Sequence, residues 1–402
     1  MMHGGIPLGV RTERARTALL DPFNIIALVA TVALVGASLI AQSNAVFYAG
    51  GDFYEKQTIW IIVGGAAFVV LMFVDLRLVE RASWIFYVGC IVLLVATRLV
   101  GIEVNYSKRW LGFGSFNVQP SELAKLGLIL ALARYLHNRR ERKPGESEPK
   151  QVGRYALRGL IVPGLVIVMP MLLILIQPDL GTALMLLFVG ATMMAMEGMR
   201  GRAVLVVLVG VLLFIPVSWK LGESVPVLGL KDYQKDRVFK MFNPEWEKVD
   251  PDTGVVHEHL LTQSEQGIIA IGTGGLAGMG HRGANPQRME DFPEIHTDFV
   301  SAMVGEEFGF IGLTVVLFLF WWLVMWGLRT ALDARSRYCR LVCTGVAALL
   351  GWQVFVNIGM VSGILPVVGV PLPFLSYGGS AMLTILMCLA LCFNIALKRG
   401  RL

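Results

Sequence analysis

The chain has 402 residues, of which 55% are hydrophobic and 16% charged, against about 25% charged in a soluble domain; its mean hydropathy is +0.65. This excludes an ordinary soluble globular protein and points to an all-α integral membrane protein built from apolar spanning helices. The formal charge of +6 does not indicate nucleic-acid binding, because the basic residues sort by membrane side rather than gathering into one patch.

A spanning helix needs roughly 20 apolar residues. Ten such runs are expected, at about 21–43, 57–76, 82–100, 119–138, 155–176, 180–199, 202–219, 298–328, 339–364 and 375–397. The N-terminal stretch "MMHGGIPLGVRTERARTALLDPFN" lacks a short apolar core followed by a small-residue cleavage site, so the first run is expected to be an uncleaved span. Of the 35 Lys and Arg residues, 22 fall on one set of alternate short loops and on the two ends. That bias places both termini in the cytoplasm. The long connection 220–297, between spans 7 and 8, then faces outward, and connections of that length are usually functional. Residues 1–402 are read as a single polytopic domain with no internal repeat or low-complexity tract.

Several motifs interrupt the apolar pattern. In "RWLGFGSFNVQPSELAKL", Pro120 suits a helix start and Ser121 can help cap it, while Glu122 and Lys125, spaced i, i+3, share one helix face inside the membrane boundary. A mutual ion pair and the wall of a polar cavity are both compatible with that spacing. In "IQPDLGTALM", Pro178 and Asp179 form an outward turn with Asp179 capping the sixth span. Within "YQKDRVFKMFNPEWEKVD", Lys235, Arg237 and Lys240 lie among aromatic residues on the outer side, where a basic cluster could grip a pyrophosphate. The stretch "HLLTQSEQGIIAIGTGGLAGMG" is half apolar and reads as a short interfacial helix before a Gly-rich turn.

"EIHTDFVSAMVGEEFGF" brings three acids to the mouth of the eighth span. Asp298, after His296 and Thr297, can be an N-cap or a general base at the outer face. Of Glu306 and Glu307, one is expected to pair with a base such as Lys125 or to face the cavity. In "NIGMVSGILPVVGVPLPFLSYGGS", Pro366, Pro371 and Pro373 lead into Ser376 and Tyr377; backbone broken at membrane depth is tolerated only beside protein or a water-filled cavity, so this loop is expected to line a polar site. The five cysteines read as small buried hydrophobes. No phosphate-binding GxxxxGK[ST], HExxH or GxSxG motif is present, and no metal-ligand set is assigned.

Taken in order, "RWLGFGSFNVQPSELAKL", "QPDLGTALM", "EIHTDFVSAMVGEEFGFIG" and "VNIGMVSGILPVVGVPLPFLSYGGSAM" make the chain resemble the SEDS family (shape, elongation, division and sporulation) of bacterial wall-building proteins, over roughly residues 105–385. "NIGMVSGILPVVGVPLP" is more similar to the elongation branch than to the division branch, which stays the alternative. The resemblance implies ten spans and a peptidoglycan glycosyltransferase in the bacterial cytoplasmic membrane, active on its outer face. Its substrates would be the lipid-linked disaccharide–pentapeptide precursor (lipid II) and undecaprenyl-linked glycan. Its partners would be a class B penicillin-binding protein, a transpeptidase of the penicillin-binding-protein-2 kind, other elongation-complex proteins and membrane lipids.

Carried over by motif, the family's essential aspartate falls on Asp298, the catalytic candidate. Arg109, Glu122, Lys125, Arg237, His296, Thr297 and Ser376 are the substrate-binding candidates. The outer loop departs from the family in the longer, more charged "EKVDPDTGVVHEHLLTQSEQGII". The donor glycan is α-linked to undecaprenyl pyrophosphate and the product link is β-1,4, so the reaction inverts. Asp298 is expected to take the proton from the acceptor 4-hydroxyl, with Arg109, Arg237 or a divalent cation, Mg or Mn, stabilising the departing pyrophosphate. Two other classes fit the composition. A transporter of lipid II would need polar residues along the whole path, and a scaffold would tolerate loss of Asp298.

Overall fold

The computed structural model describes residues 21–104, 107–113, 116–138, 161–197, 263–285 and 296–398. The helices are α1 (Pro22–Ala49), α2 (Phe53–Phe73), α3 (Leu76–Val100), α4 (Pro120–Asn138), α5 (Ile161–Ile176), α6 (Leu180–Met196), α7 (Gln263–Gly274), α8 (Val300–Asp333), α9 (Arg337–Val361) and α10 (Gly379–Leu397). Six of them, α1, α2, α3, α8, α9 and α10, are long and apolar enough to cross a membrane, and α5 and α6 are shorter apolar helices. The chain is therefore a multi-pass membrane protein. The expected span at 202–219 lies outside the described residues.

Local chemistry sets several of the helix starts. Asp21 accepts from the Phe23 amide at 3.1 Å, with Pro22 at the first helical position, and Asp75 accepts from the Arg77 amide at 3.0 Å. Both satisfy amides that a helix start leaves without an internal partner.

The all-α expectation needs one correction. A small antiparallel sheet, order β1-β2-β3, joins α3 to α4, with β1 at Ile102–Val104, β2 at Ser107–Phe113 and β3 at Phe116–Val118. Ile102 pairs with Trp110 and Leu111 with Val118. The segment is too short and too polar to span lipid, so its backbone groups satisfy one another in hairpins instead.

α9 and α10 lie at the centre, with 72% and 78% of their apolar windows buried, against 22–33% for α1, α2, α3 and α8. α10 packs on α2, while α9 packs on α8, α6 and α4. Val29, Val32, Ile62, Val70, Ile85, Phe318 and other large apolar side chains of the peripheral helices point outward, as a lipid-facing surface requires. All five cysteines are buried free thiols.

The helix ends sort into two sets. At one end, Arg134 pairs with Glu80, Arg337 pairs with Glu197, and Lys398 Nζ donates to the Val74 carbonyl. This is the end expected in the cytoplasm. The sheet, the α5–α6 turn, α7 and the 362–378 loop gather at the other end.

The eighth span begins at Val300, close to the expected 298, but it is not one continuous helix. At Gly309, φ is 67° and ψ is −166°, which breaks α8 into a short outer turn, 300–308, and a long apolar stretch, 310–333. The Gly-rich segment after α7 fills the break. Phe310 and Ile311 amides donate to the Gly275 and Leu276 carbonyls at 2.9 and 3.1 Å, and Met279 and Gly280 amides donate to the Glu306 and Glu307 carbonyls, both at 2.9 Å. Insertion of a second backbone into the ladder accounts for the kink. A Cβ on Gly309 would stand 2.3 Å from the Gly278 nitrogen, so glycine is required there for space as well as for φ. The expected short helix and Gly-rich turn are thus present, as α7 and the loop to residue 285.

Candidate functional site

The site is assembled at the end of the bundle that carries the sheet. The 362–378 loop forms its centre, and buried polar side chains from α1, α2 and α9 hold that loop. Ser38 Oγ donates to the Phe374 carbonyl at 2.7 Å, Gln42 Nε2 donates to the Leu375 carbonyl at 2.7 Å, and Gln57 Nε2 donates to Ser38 Oγ at 3.1 Å. Phe374 takes φ 66°, a conformation that costs a non-glycine residue about 1–3 kcal/mol and persists only where surroundings fix it. Ser376 Oγ accepts from the Leu372 amide at 2.7 Å and so closes the loop on itself. These bonds answer how irregular backbone survives here, as the proline pattern required.

Asp298 lies beside this loop. It is half-buried and sits one residue before the N-cap position of α8, which Phe299 occupies without a side-chain capping bond. Asn357 Nδ2 donates to the Asp298 carbonyl at 2.8 Å and to the Val370 carbonyl at 2.8 Å. Gly369, at φ 72°, faces the carboxylate: a Cβ there would stand 3.2 Å from Asp298 Oδ2. Before Asp298, the His296 ring stacks on Phe53 with centroids 4.1 Å apart and planes 15° apart. The His296 carbonyl accepts from the Tyr377 amide at 2.8 Å. Burial raises the Tyr377 phenol above its usual range, so it stays protonated at neutral pH. Thr297, between them, is half-buried.

Beneath the same loop is a second polar element. Glu122 and Lys125, 4% and 2% exposed, form an ion pair at 2.7 Å. Both line a cavity of about 10 Å³, room for one water, together with Gln353, Pro371, Ser376 and Thr384. Both readings of the i, i+3 spacing therefore hold: the two residues pair, and the pair walls a cavity. The loop joins the two elements, since Gly369 and Val370 meet the Asp298 segment while Pro371 to Phe374 and Ser376 line the cavity.

Other candidates are positioned differently. Arg109 donates Nε to the Gln177 carbonyl at 3.0 Å and a terminal nitrogen to the Pro178 carbonyl, which anchors the sheet on the α5–α6 turn. Asp179 caps α6 as expected, accepting from the Thr182 amide at 3.0 Å, and Gln119 Nε2 reaches its other oxygen at 3.2 Å. Arg237, Lys235 and Lys240 lie outside the described residues. Among the described residues no group of three His, Cys, Asp or Glu side chains could hold a metal ion.

For Glu306 and Glu307, the expectation of Lys125 as the paired base is corrected. Lys125 already has Glu122 one turn away on its own helix, and the two later acids instead bind the segment after α7. Glu307 accepts from Tyr48 OH at 3.0 Å, from the Arg282 amide at 3.1 Å and from Asn44 Nδ2. Glu306 accepts from the Asn285 amide at 3.2 Å. Sequence reasoning did not single out Asn357, Gln42 or Gln57 as site residues; the available signal was an amide side chain inside an apolar run.

Residues 18–400 match the sequence pattern of the FtsW/RodA/SpoVE cell cycle proteins. The peptidoglycan glycosyltransferase MrdB of Escherichia coli is 35% identical over 385 residues, covering 95% of each chain. Among solved structures, one described as showing structural coordination of polymerization and crosslinking by a peptidoglycan synthase complex aligns with a TM-score of 0.72 and 28% identity, over 93% of this chain and 98% of that one. The rod shape determining protein RodA of Thermus thermophilus aligns with a TM-score of 0.65 and 26% identity, over 93% of this chain and 97% of that one. Sequence pattern, full-length similarity and fold agree, and the chain belongs to the FtsW/RodA/SpoVE family, the SEDS family of the sequence motifs.

Proposed function

We propose that this chain is a peptidoglycan glycosyltransferase that polymerises lipid II into β-1,4 glycan strands at the outer face of the cytoplasmic membrane, with Asp298 as general base. The observation that carries the reading is the Asp298 carboxylate, half-buried at the mouth of the bundle and facing Gly369 of an immobilised loop. In the reaction, the acceptor 4-hydroxyl loses its proton to Asp298 as its oxygen attacks C1 of the donor sugar. The C1–oxygen bond to undecaprenyl pyrophosphate breaks from the opposite face, and the α-link becomes a β-link. One base suffices for such an inversion because the pyrophosphate leaves as a stable anion.

Arg109 and Arg237 are the proposed cationic contacts for that anion. A Mg²⁺ or Mn²⁺ ion at the pyrophosphate is the other candidate, held there by substrate phosphate oxygens on the face opposite Asp298. His296 and Thr297 support the acid, and Glu122, Lys125 and Ser376 form the polar wall beneath it. The partner is a class B penicillin-binding protein, and "NIGMVSGILPVVGVPLP" favours a role in elongation. Ten spans with both termini in the cytoplasm complete this reading.

The test is glycan polymer formed from lipid II by the purified chain, with and without its transpeptidase partner. Polymer from the wild type and none from Asp298→Ala, at equal abundance and partner binding, is expected; normal polymer from Asp298→Ala would remove the assignment.

A further inference from the structure

The geometry points to Asn357 as a positioning residue for the Asp298 carboxylate, an inference that rests on the polymerase reading above. Asn357 is 0% exposed in an otherwise apolar turn of α9. Its amide ties α9 to two other segments, the entry to α8 at 298–301 and the 362–378 loop. Nδ2 donates one hydrogen to the Asp298 carbonyl and the other to the Val370 carbonyl, and Oδ1 accepts from Ser301 Oγ at 2.9 Å. Two carbonyls can only accept, so the orientation of the amide is fixed by its neighbours.

Consequently one side chain sets the spacing between residue 298 and residue 370. Its effect reaches the acid because Gly369, next to Val370, borders Asp298 Oδ2. Without the amide, two carbonyls would face each other with no donor between them, and the segments would move apart. A displacement of about 1 Å at a reacting group costs on the order of 10²-fold in rate.

The fold supplies its own control. Asn394 on α10 makes the same pair of bonds, donating Nδ2 to the Leu71 and Val74 carbonyls at 2.7 and 2.8 Å. It is 0% exposed too, but it ties the α2–α3 turn at the opposite end of the bundle. Asn357 and Asn394 thus share burial and the paired bonds to two carbonyls, and differ in what those bonds hold and in Oδ1, which accepts from Ser301 in Asn357 and has no hydrogen-bond partner among the described residues in Asn394.

The experiment measures kcat and KM for lipid II polymerisation by the full chain with its transpeptidase partner, together with thermal unfolding, for Asn357→Ala, Asn394→Ala and Asp298→Asn. The expected result is a kcat lower by about 10²-fold for Asn357→Ala with KM within about threefold, the signature of a group that acts only in the transition state. Asn394→Ala should lose similar thermal stability while keeping kcat within about twofold. Wild-type kcat in Asn357→Ala, or equal kcat losses in the two asparagine variants, overturns the inference. If Asn357→Ala does not fold, Ser301→Ala, which frees only Oδ1, takes its place; a several-fold loss in kcat supports positioning, and an unchanged kcat overturns it. Asp298→Asn separates the two claims. An active Asp298→Asn removes the base assignment itself, whereas an inactive Asp298→Asn beside a fully active Asn357→Ala removes positioning alone.

Discussion

Asp298 and the pair Glu306–Glu307 belong to one stretch of chain and meet different surroundings. The pair is 0% and 1% exposed, and its oxygens receive the Asn285 and Arg282 amides, the Tyr48 hydroxyl and the Asn44 amide. These acids hold the Gly-rich segment in the break at Gly309. Asp298 keeps part of its surface at the mouth of the bundle, and its main chain, through the Asn357 bond, does the anchoring. The comparison separates two carboxylates that lie wholly inside the fold and hold its backbone from a residue that keeps part of its surface exposed. Three acids on one helix entry therefore meet two different environments.

Five variants test that comparison and its extension to two other carboxylates, beginning with the largest effect. Asp298→Asn should lower polymerisation by about 10²–10⁴-fold, the range of a general base, with thermal unfolding unchanged; an equal loss from a change at Glu307 would erase the distinction. Lys125→Met leaves Glu122 buried without its cation and should cost about 3–5 kcal/mol of stability, most of it recovered in the double variant Glu122→Gln with Lys125→Met. Melting of the purified chain in detergent reads both. Glu307→Ala leaves Tyr48, Asn44 and the Arg282 amide without their acceptor and should cost about 1–3 kcal/mol, seen as earlier proteolysis of the 275–285 segment and a lower melting temperature. The smallest effect belongs to Asp52, whose exposed carboxylate is held below its usual range by the hydrogen bond from Lys56, 2.7 Å away. A lowered folded-state pKa contributes stability that is present at neutral pH and lost as pH falls through the carboxylate range. Because salt screens this exposed pair, Asp52→Asn should leave melting at pH 7 unchanged.

The helical spans were legible because hydropathy is summed over some 20 residues, and α9 and α10 fall where their apolar runs predict. The break inside α8 was not, since apolar residues continue through Gly309 and the break depends on a segment about 30 residues earlier in the chain. The Glu122–Lys125 pair could be read because i, i+3 neighbours on a helix meet without help from the rest of the fold. Partners of Glu306 and Glu307 could not, because Asn44 and Tyr48 lie more than 250 residues away in the chain. The sheet at 102–118 was hidden by its shortness, and Asn357 by its lack of charge. At the site, the motif marked Asp298, while the Asn357 amide that bonds its carbonyl emerged only from long-range packing.

The central claim is that Asp298, and not its neighbours, performs the chemistry. The most direct measurement is the rate of glycan polymerisation from lipid II by Asp298→Asn and Glu307→Gln in the same partner complex, each normalised to folded protein. The account predicts a rate lower by about 10²–10⁴-fold from Asp298→Asn and within about threefold of wild type from folded Glu307→Gln, since Glu307 holds Tyr48 and the Arg282 amide rather than the loop that faces Asp298. Polymer at the wild-type rate from Asp298→Asn would contradict it.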